Sequence, residues 1–251
     1  MTESAKTKLL SLLPRLPGTL IFFEKGEGRP FAHHRSNRLP REVYADAELS
    51  PFFCNLRCPM NLGDKQGSLT PEAVALVGEC LCELVYAVRP PTAIAGIPNA
   101  GDPLAEAVVA ASRRRGLELQ AVRFVKNDGP DGTQFARHDA RTDLMVDVVV
   151  DDVITMADTK RRFLVAVNGP MADKPLVCVL FDRCEGGVEI LRALGYDVLS
   201  VFTLPDILAS SREAGLIDDE KVERSFEYAK RRHSLINLRM EEILADLRAN
   251  L

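Results

Sequence analysis

Val148-Val149-Val150-Asp151-Asp152-Val153-Ile154-Thr155-Met156-Ala157-Asp158-Thr159-Lys160 is the most informative run in this chain. Its first three residues are apolar and β-branched, the composition of a strand buried on both faces. Two adjacent acids follow at the mouth of that strand. Charge placed there is costly to leave unpaired, so the pair meets sugar hydroxyls, a metal ion or a basic side chain, unless it stands in a solvated loop. Helical spacing then runs from Lys160 to Val167, which makes the segment a strand, a turn and a helix.

The same alternation extends outward in both directions. Short apolar runs at 93–97, 119–125, 145–150, 176–181 and 198–202 are separated by helical spacing at 104–111, 160–167 and 188–194. Strands that alternate with helices predict a doubly wound α/β core, a parallel sheet with helices on both faces. In such sheets ligands bind where strands end, so the residues just after each apolar run are the candidates for chemistry. Neither G-x-G-x-x-G nor G-x-x-x-x-G-K-[ST] occurs, which argues against a nicotinamide dehydrogenase or a P-loop enzyme.

Composition agrees with a globular chain. With 251 residues, 46% of them hydrophobic and 27% charged, it can bury one large core with a small appendage. A net charge of −4 gives no broad basic surface, so no nucleic-acid partner is expected. Arg113, Arg114 and Arg115 close a helix before Gly116, where cations suit the dipole. No run nears the roughly 20 apolar residues of a membrane span. The start Met1-Thr2-Glu3-Ser4 is not a signal peptide, so a cytoplasmic protein is expected. The six cysteines fit reduced thiols. Cys54 with Cys58, and Cys80 with Cys82, lack tight zinc spacing, and no metal ligands are assigned. Cys80 and Cys82 stand in an apolar stretch as small buried hydrophobes.

Three regions are expected. Residues 1–90 form a hood: a short helix near Lys8 to Leu13, then a hairpin that pairs 20–23 with Pro30-Phe31-Ala32 around the turn at 25–28. Within the hood, Thr70 caps a helix that Pro71 opens. Residues 91–217 form the α/β core, and 218–251 a helical extension. Ile236, Met240, Ile243, Leu244 and Leu247 share one face of that extension, which packs on the core or on a second subunit.

Residues 148–160 resemble the phosphoribosyl-pyrophosphate motif of type I phosphoribosyltransferases. Asp182-Arg183-Cys184-Glu185-Gly186-Gly187, followed by Leu194-Gly195-Tyr196 and the strand at 200–204, resembles the D-R-x-x-G-G segment of orotate phosphoribosyltransferases. Ser50-Pro51-Phe52-Phe53 and Ala95-Gly96-Ile97-Pro98-Asn99-Ala100-Gly101-Asp102 agree in order and spacing, so the resemblance covers roughly residues 45 to 230. It implies the type I phosphoribosyltransferase fold, with a parallel sheet flanked by helices and an N-terminal hood. The implied reaction is transfer of phosphoribose from phosphoribosyl pyrophosphate to a pyrimidine base such as orotate, in pyrimidine biosynthesis, with Mg²⁺ bound mainly through substrate.

The resemblance also implies roles. Asp151 and Asp152 hold the ribose hydroxyls, and the loop of Thr155, Asp158 and Thr159 wraps the 5-phosphate at a helix N-terminus. Asn99, Ala100 and Gly101 match the pyrophosphate loop. Lys126 lies on the catalytic loop, and Arg183 matches the arginine that contacts the base, unless it pairs internally with Asp182 or Glu185.

The phosphate-handling positions depart from the family pattern. Met156 replaces a threonine, Ala157 a glycine and Asp158 a hydroxyl residue. A carboxylate about 4 Å from a unit of phosphate charge costs on the order of 4 kcal/mol at an effective dielectric near 20. The helix dipole returns only about 0.3–1 kcal/mol. Ala100 and a residue near Ala45 replace lysines. Of the R-K-x-x-K-x-H-G catalytic loop, aligned on 125–132, only Lys126 and Gly132 match. His33, His34, Arg35, Arg137, His138 and Arg141 are the remaining basic residues that could substitute, His138 being more often a surface residue in such a loop.

Two function classes follow. One is an orotate phosphoribosyltransferase-like enzyme; the other is a non-catalytic relative that keeps the fold and binds a nucleotide, nucleoside or other sugar compound. In both the partner is a small molecule, and the resemblance implies a homodimer. The segment 127–141, with Gly129, Pro130 and Gly132, is expected to be a mobile loop.

Overall fold

The computed structural model describes residues 4–27, 29–30, 49–59, 67–129, 132–138, 144–169, 173–238, 240–241 and 245. Expectations placed on Phe31, Ala32, His33, His34, Arg35, Ala45, Arg141, Ile243, Leu244, Leu247 and the side chain of Asp158 lie outside the described residues. In chain order the elements are α1 (Ala5–Leu12), β1 (Leu20–Phe22), β2 (Arg29–Pro30), β3 (Leu49–Ser50), β4 (Phe52–Cys54), α2 (Pro71–Tyr86), β5 (Ala93–Gly96), α3 (Asp102–Arg114) and β6 (Gln120–Val122). They continue with β7 (Phe124–Gly129), β8 (Gly132–Arg137), β9 (Val148–Ile154), α4 (Asp158–Asn168), β10 (Leu176–Asp182), α5 (Gly187–Ala193), β11 (Val198–Thr203), α6 (Leu204–Glu213) and α7 (Asp219–Leu238).

Five strands form the parallel sheet predicted from the alternation, in the order β11-β10-β9-β5-β6. The two central apolar strands alternate between its faces. Val148, Val150, Cys178 and Leu180 pack with Leu9, Leu81, Val108, Ile207 and Tyr228 of α1, α2, α3, α6 and α7. Val149, Val177 and Val179 pack on the other face with Phe163, Leu164 and Leu191 of α4 and α5. Helices thus cover both faces, as strands of continuous hydrophobicity require.

Local signals act where they were read. Thr70 accepts from the Ala73 N–H at 3.2 Å with Pro71 at the first helical position. Cys80 and Cys82 are buried free thiols in α2. Arg114 and Arg115, at the end of α3, pair with Glu79 at 2.7 and 2.8 Å, tying α3 to α2. No helix among the described residues is long and apolar enough to cross a membrane.

Strand pairing departs from expectation in two places. Among the described residues the hairpin expected between 20–23 and 30–32 is not seen, since Pro30 pairs with Leu49. The turn closes through Glu27 N–H to Glu24 C=O at 2.9 Å. β1 nevertheless pairs antiparallel with β4, Ile21 opposite Phe53, and β2 pairs with β3. The reason is burial: this register sets Phe22 beside Phe52, ring centroids 6.2 Å apart, and Phe52 edge-on to Tyr228 in the core.

Where a mobile loop was expected at 127–141, residues 124–129 and 132–137 form a two-stranded ribbon in which β7 pairs antiparallel with β8, Lys126 opposite Phe135. Phe124 and Phe135 stand edge-on to Phe163 of α4 at 5.0 and 5.1 Å. That aromatic triplet supplies an apolar anchor that a count of glycine and proline does not reveal. On α7, Tyr228, Ala229, Arg232 and Ile236 are buried against the chain's own core; of the apolar face expected at 236–247, only Ile236 is buried among the described residues.

Phe163→Ala should lower stability by about 3–5 kcal/mol in denaturant unfolding. Because Phe163 also holds the ribbon, amide exchange at 124–137 should quicken more than that of β9 and β10.

Candidate active site

The site is assembled at the carboxyl edge of three neighbouring strands. β5 leads through residues 97–101 into α3, β9 through 155–157 into α4, and β10 through 183–186 into α5. The first loop is drawn tight against β9: Ile97 N–H donates to Val150 C=O at 3.0 Å, and Gly101 N–H to Ile97 C=O at 2.8 Å. A Cβ on Gly101 would overlap the Val150 carbonyl, so only glycine fits there. Asn99 is exposed and Ala100 half-buried on this loop.

Strand parity separates the two acids. Asp151 follows Val149 on the face covered by α4 and is buried; its Oδ2 accepts from Lys160 Nζ at 2.6 Å. Lys160 Nζ also donates to Val153 C=O at 2.5 Å. Asp152 points the other way, where half-exposed Arg57 approaches its Oδ2 at 3.8 Å. Burial first, and the neighbouring Asp151 charge second, push the Asp152 carboxyl up to about 7. Of the three partners open to the acids, the described structure supplies basic side chains. Lys160 was not singled out in the sequence, because a cation in the first turn of a helix runs against the dipole. Its spacing of nine residues from Asp151, across a strand, a turn and a helix start, was the only available signal. Asp102, in the first turn of α3, is pushed up to about 6, mainly by burial.

Two of the residues in the turn into α4 are apolar. Met156 is buried, and Arg232 of α7 approaches its sulfur at 3.4 Å. Ala157 is buried in the left-handed region with φ 60°, which costs a non-glycine residue roughly 1–2 kcal/mol. As the cap of α4 it brings no side-chain acceptor, so the first N–H groups of the helix are left to another partner. Thr155 is half-buried and Thr159 exposed.

Arg183, just after β10, lies in a buried network. Its Nη2 donates to Ser50 Oγ at 2.8 Å, its guanidinium lies 4.2 Å from the Phe52 ring centroid, and its Nε is 2.7 Å from Glu185 Oε1. Glu185 is fully buried, and burial raises its carboxyl against the lowering effect of Arg183. The pairing with Glu185 is thus the partner that the structure holds. α7 closes over this loop: Gly186, at φ 99°, lies so close to Ile236 that a side chain there would collide with it. Lys126 rides half-buried on the ribbon anchored to α4, and His138 is an exposed residue at the ribbon's end.

The raised Asp152 carboxyl carries a pH signature. Asp152 binds its proton more tightly folded than unfolded, so its contribution to stability is fully present below about pH 4 and is lost as pH rises through about 7. Asp152→Asn should therefore flatten the stability profile, gaining on the parent chain between pH 5 and 8 in thermal unfolding. A parallel slope in both proteins would contradict this assignment.

No family model matches the chain. An orotate phosphoribosyltransferase of Sorangium cellulosum is 32% identical over 176 residues, covering 69% of this chain and 88% of that protein. One from Nostoc is 26% identical over 157 residues, covering 61% and 74%. Among solved structures, the Mycobacterium tuberculosis orotate phosphoribosyltransferase with inorganic phosphate matches with TM-score 0.52 and 20% identity, over 82% of this chain and 92% of that one. Leishmania donovani UMP synthase matches with TM-score 0.58 and 18% identity over 91% of this chain, which spans 42% of that protein's length. At such identities the structures speak for the fold, which is that of the type I phosphoribosyltransferases. On the identity and coverage of the Sorangium relative, the chain belongs to the orotate phosphoribosyltransferase family.

Proposed function

We propose that the chain is an orotate-type phosphoribosyltransferase whose pyrophosphate end is weak. The observation that supports it is the acid pair at the carboxyl end of β9 followed directly by the N-terminus of α4, whose cap Ala157 supplies no side-chain acceptor, an arrangement suited to a ribose bearing a phosphate. Transfer would break the bond from ribose C1 to pyrophosphate and form one to a pyrimidine ring nitrogen. In this reading the end of β9 that carries Asp151 and Asp152 on its two faces lies at the ribose, residues 155–159 at the 5-phosphate, residues 99–101 at the pyrophosphate, and Arg183 at the base. Lys126, on the ribbon, is the one lysine aligned with the family's catalytic loop. The transition state gathers positive charge on the ribosyl group and negative charge on the leaving pyrophosphate, so each missing cation slows the step directly.

Family members work with magnesium carried mainly on the substrate. The acids here do not fit a metal of their own: Asp151 already meets Lys160 at 2.6 Å and Asp152 faces Arg57. Among the described residues no group of three or more His, Cys, Asp or Glu could hold an ion. Any magnesium would come and go with pyrophosphate.

A second reading, ligand binding without turnover, is favoured by three observations: Asp151 is paired, Met156 is turned inward and Arg183 is engaged with Glu185. Calorimetry with Mg²⁺ present, beside an assay for orotidine monophosphate formation, separates the two. Phosphoribosyl pyrophosphate should bind weakly or not at all to the parent chain, and the triple change Met156→Thr, Ala157→Gly, Asp158→Thr should bind it measurably better. Micromolar binding by the parent, or turnover near one per second or faster, about the low end for ordinary enzymes, would overturn the second reading. No turnover by either protein would overturn the first.

The family setting also supports a homodimer working in the cytoplasm on pyrimidine synthesis. Light scattering at micromolar concentration should find particles of two chains; a strictly monomeric mass of 27.7 kDa would contradict the dimer.

A further inference from the structure

Lys160 stands where neither helix physics nor the surrounding apolar packing calls for a cation. It lies in the first turn of α4, where the dipole disfavours positive charge, and both it and Asp151 are almost entirely removed from solvent. Burying two such groups is tolerated only with close geometry and further hydrogen bonds. Both conditions are met: the ammonium reaches Asp151 at 2.6 Å and the Val153 carbonyl at 2.5 Å. The charge that neutralises Asp151 is therefore covalently attached to the chain and does not dissociate with ligand.

We propose that Lys160 takes the electrostatic place of a divalent cation at the acid pair, so that this site binds ribosyl ligands without magnesium. A Mg²⁺ or Mn²⁺ ion brought to Asp151 would have to displace the ammonium, or share one carboxylate with it against like-charge repulsion. Hard cations of this kind need carboxylate oxygens that are free to coordinate. Asp152 alone, facing Arg57, is a poor substitute. The site consequently selects ribosyl ligands that do not arrive as metal chelates, a nucleoside monophosphate over a pyrophosphate. This selectivity rests on the ribose-facing reading of the acids given above; the exclusion of metal does not.

Two measurements test it. Mn²⁺ is titrated into the ligand-free chain and followed by electron paramagnetic resonance. The parent should show no Mn²⁺ site that depends on Asp151. Lys160→Met should gain one at least about tenfold tighter, and adding Asp151→Asn should remove it, as expected for a carboxylate freed to coordinate. An Asp151-dependent Mn²⁺ site in the parent, or no gain in a folded Lys160→Met protein, overturns the proposal. Calorimetry with orotidine monophosphate, on the parent alone, covers the case in which Lys160→Met does not fold. Affinity in EDTA within about twofold of that in Mg²⁺ supports the proposal, and a loss of about tenfold or more in EDTA overturns it. Absence of binding in both buffers would instead count against the ribose reading, with the Mn²⁺ titration still deciding the role of Lys160.

Discussion

The structure depends on one constraint: β9 and β10 lie side by side with almost every residue buried, so both faces of the sheet must be covered. α1, α2, α3, α6 and α7 cover one face, and α4 and α5 the other. Parallel strands covered in this way send all their following loops to the same edge. The three loops after β5, β9 and β10 meet there because the strands themselves are neighbours. The site follows from the core and needs no separate scaffold.

That constraint also explains the charges. A side chain at the end of a buried strand inherits the strand's parity, so two consecutive acids face opposite ways. Asp151 is delivered to the α4 side and finds Lys160, while Asp152 is delivered to the opposite side and finds Arg57. Their environments differ accordingly. Asp151 has a buried, close partner; Asp152 is pushed toward neutrality by its burial first and by its neighbour's charge second.

α7 gives the molecule its second layer of connectivity. Arg224 donates to the Phe23 and Glu24 carbonyls near β1, Tyr228 packs on Phe52, Arg232 reaches Met156, and Ile236 rests on Gly186. One helix thus ties the N-terminal strands, the turn into α4 and the loop after β10 into one unit. Met156 and Ala157, which look like simple losses of phosphate ligands in the sequence, are also gains in packing: both are buried, one of them under this helix.

The sequence by itself determined the sheet, its parallel direction, the place of the acids and the helix start at Thr70 and Pro71. These depend on periodicity and on residues within a turn of each other. It also carried the family, through segments whose order survives although the phosphate ligands do not. What only the tertiary structure decided were the partners: β4 for β1, a ribbon at 124–137, Lys160 for Asp151, Glu185 for Arg183, and the chain's own core for α7. Each is a choice among groups far apart along the chain or on different elements. It is settled by which pairing buries an aromatic ring or neutralises a charge, and local pattern contains neither quantity.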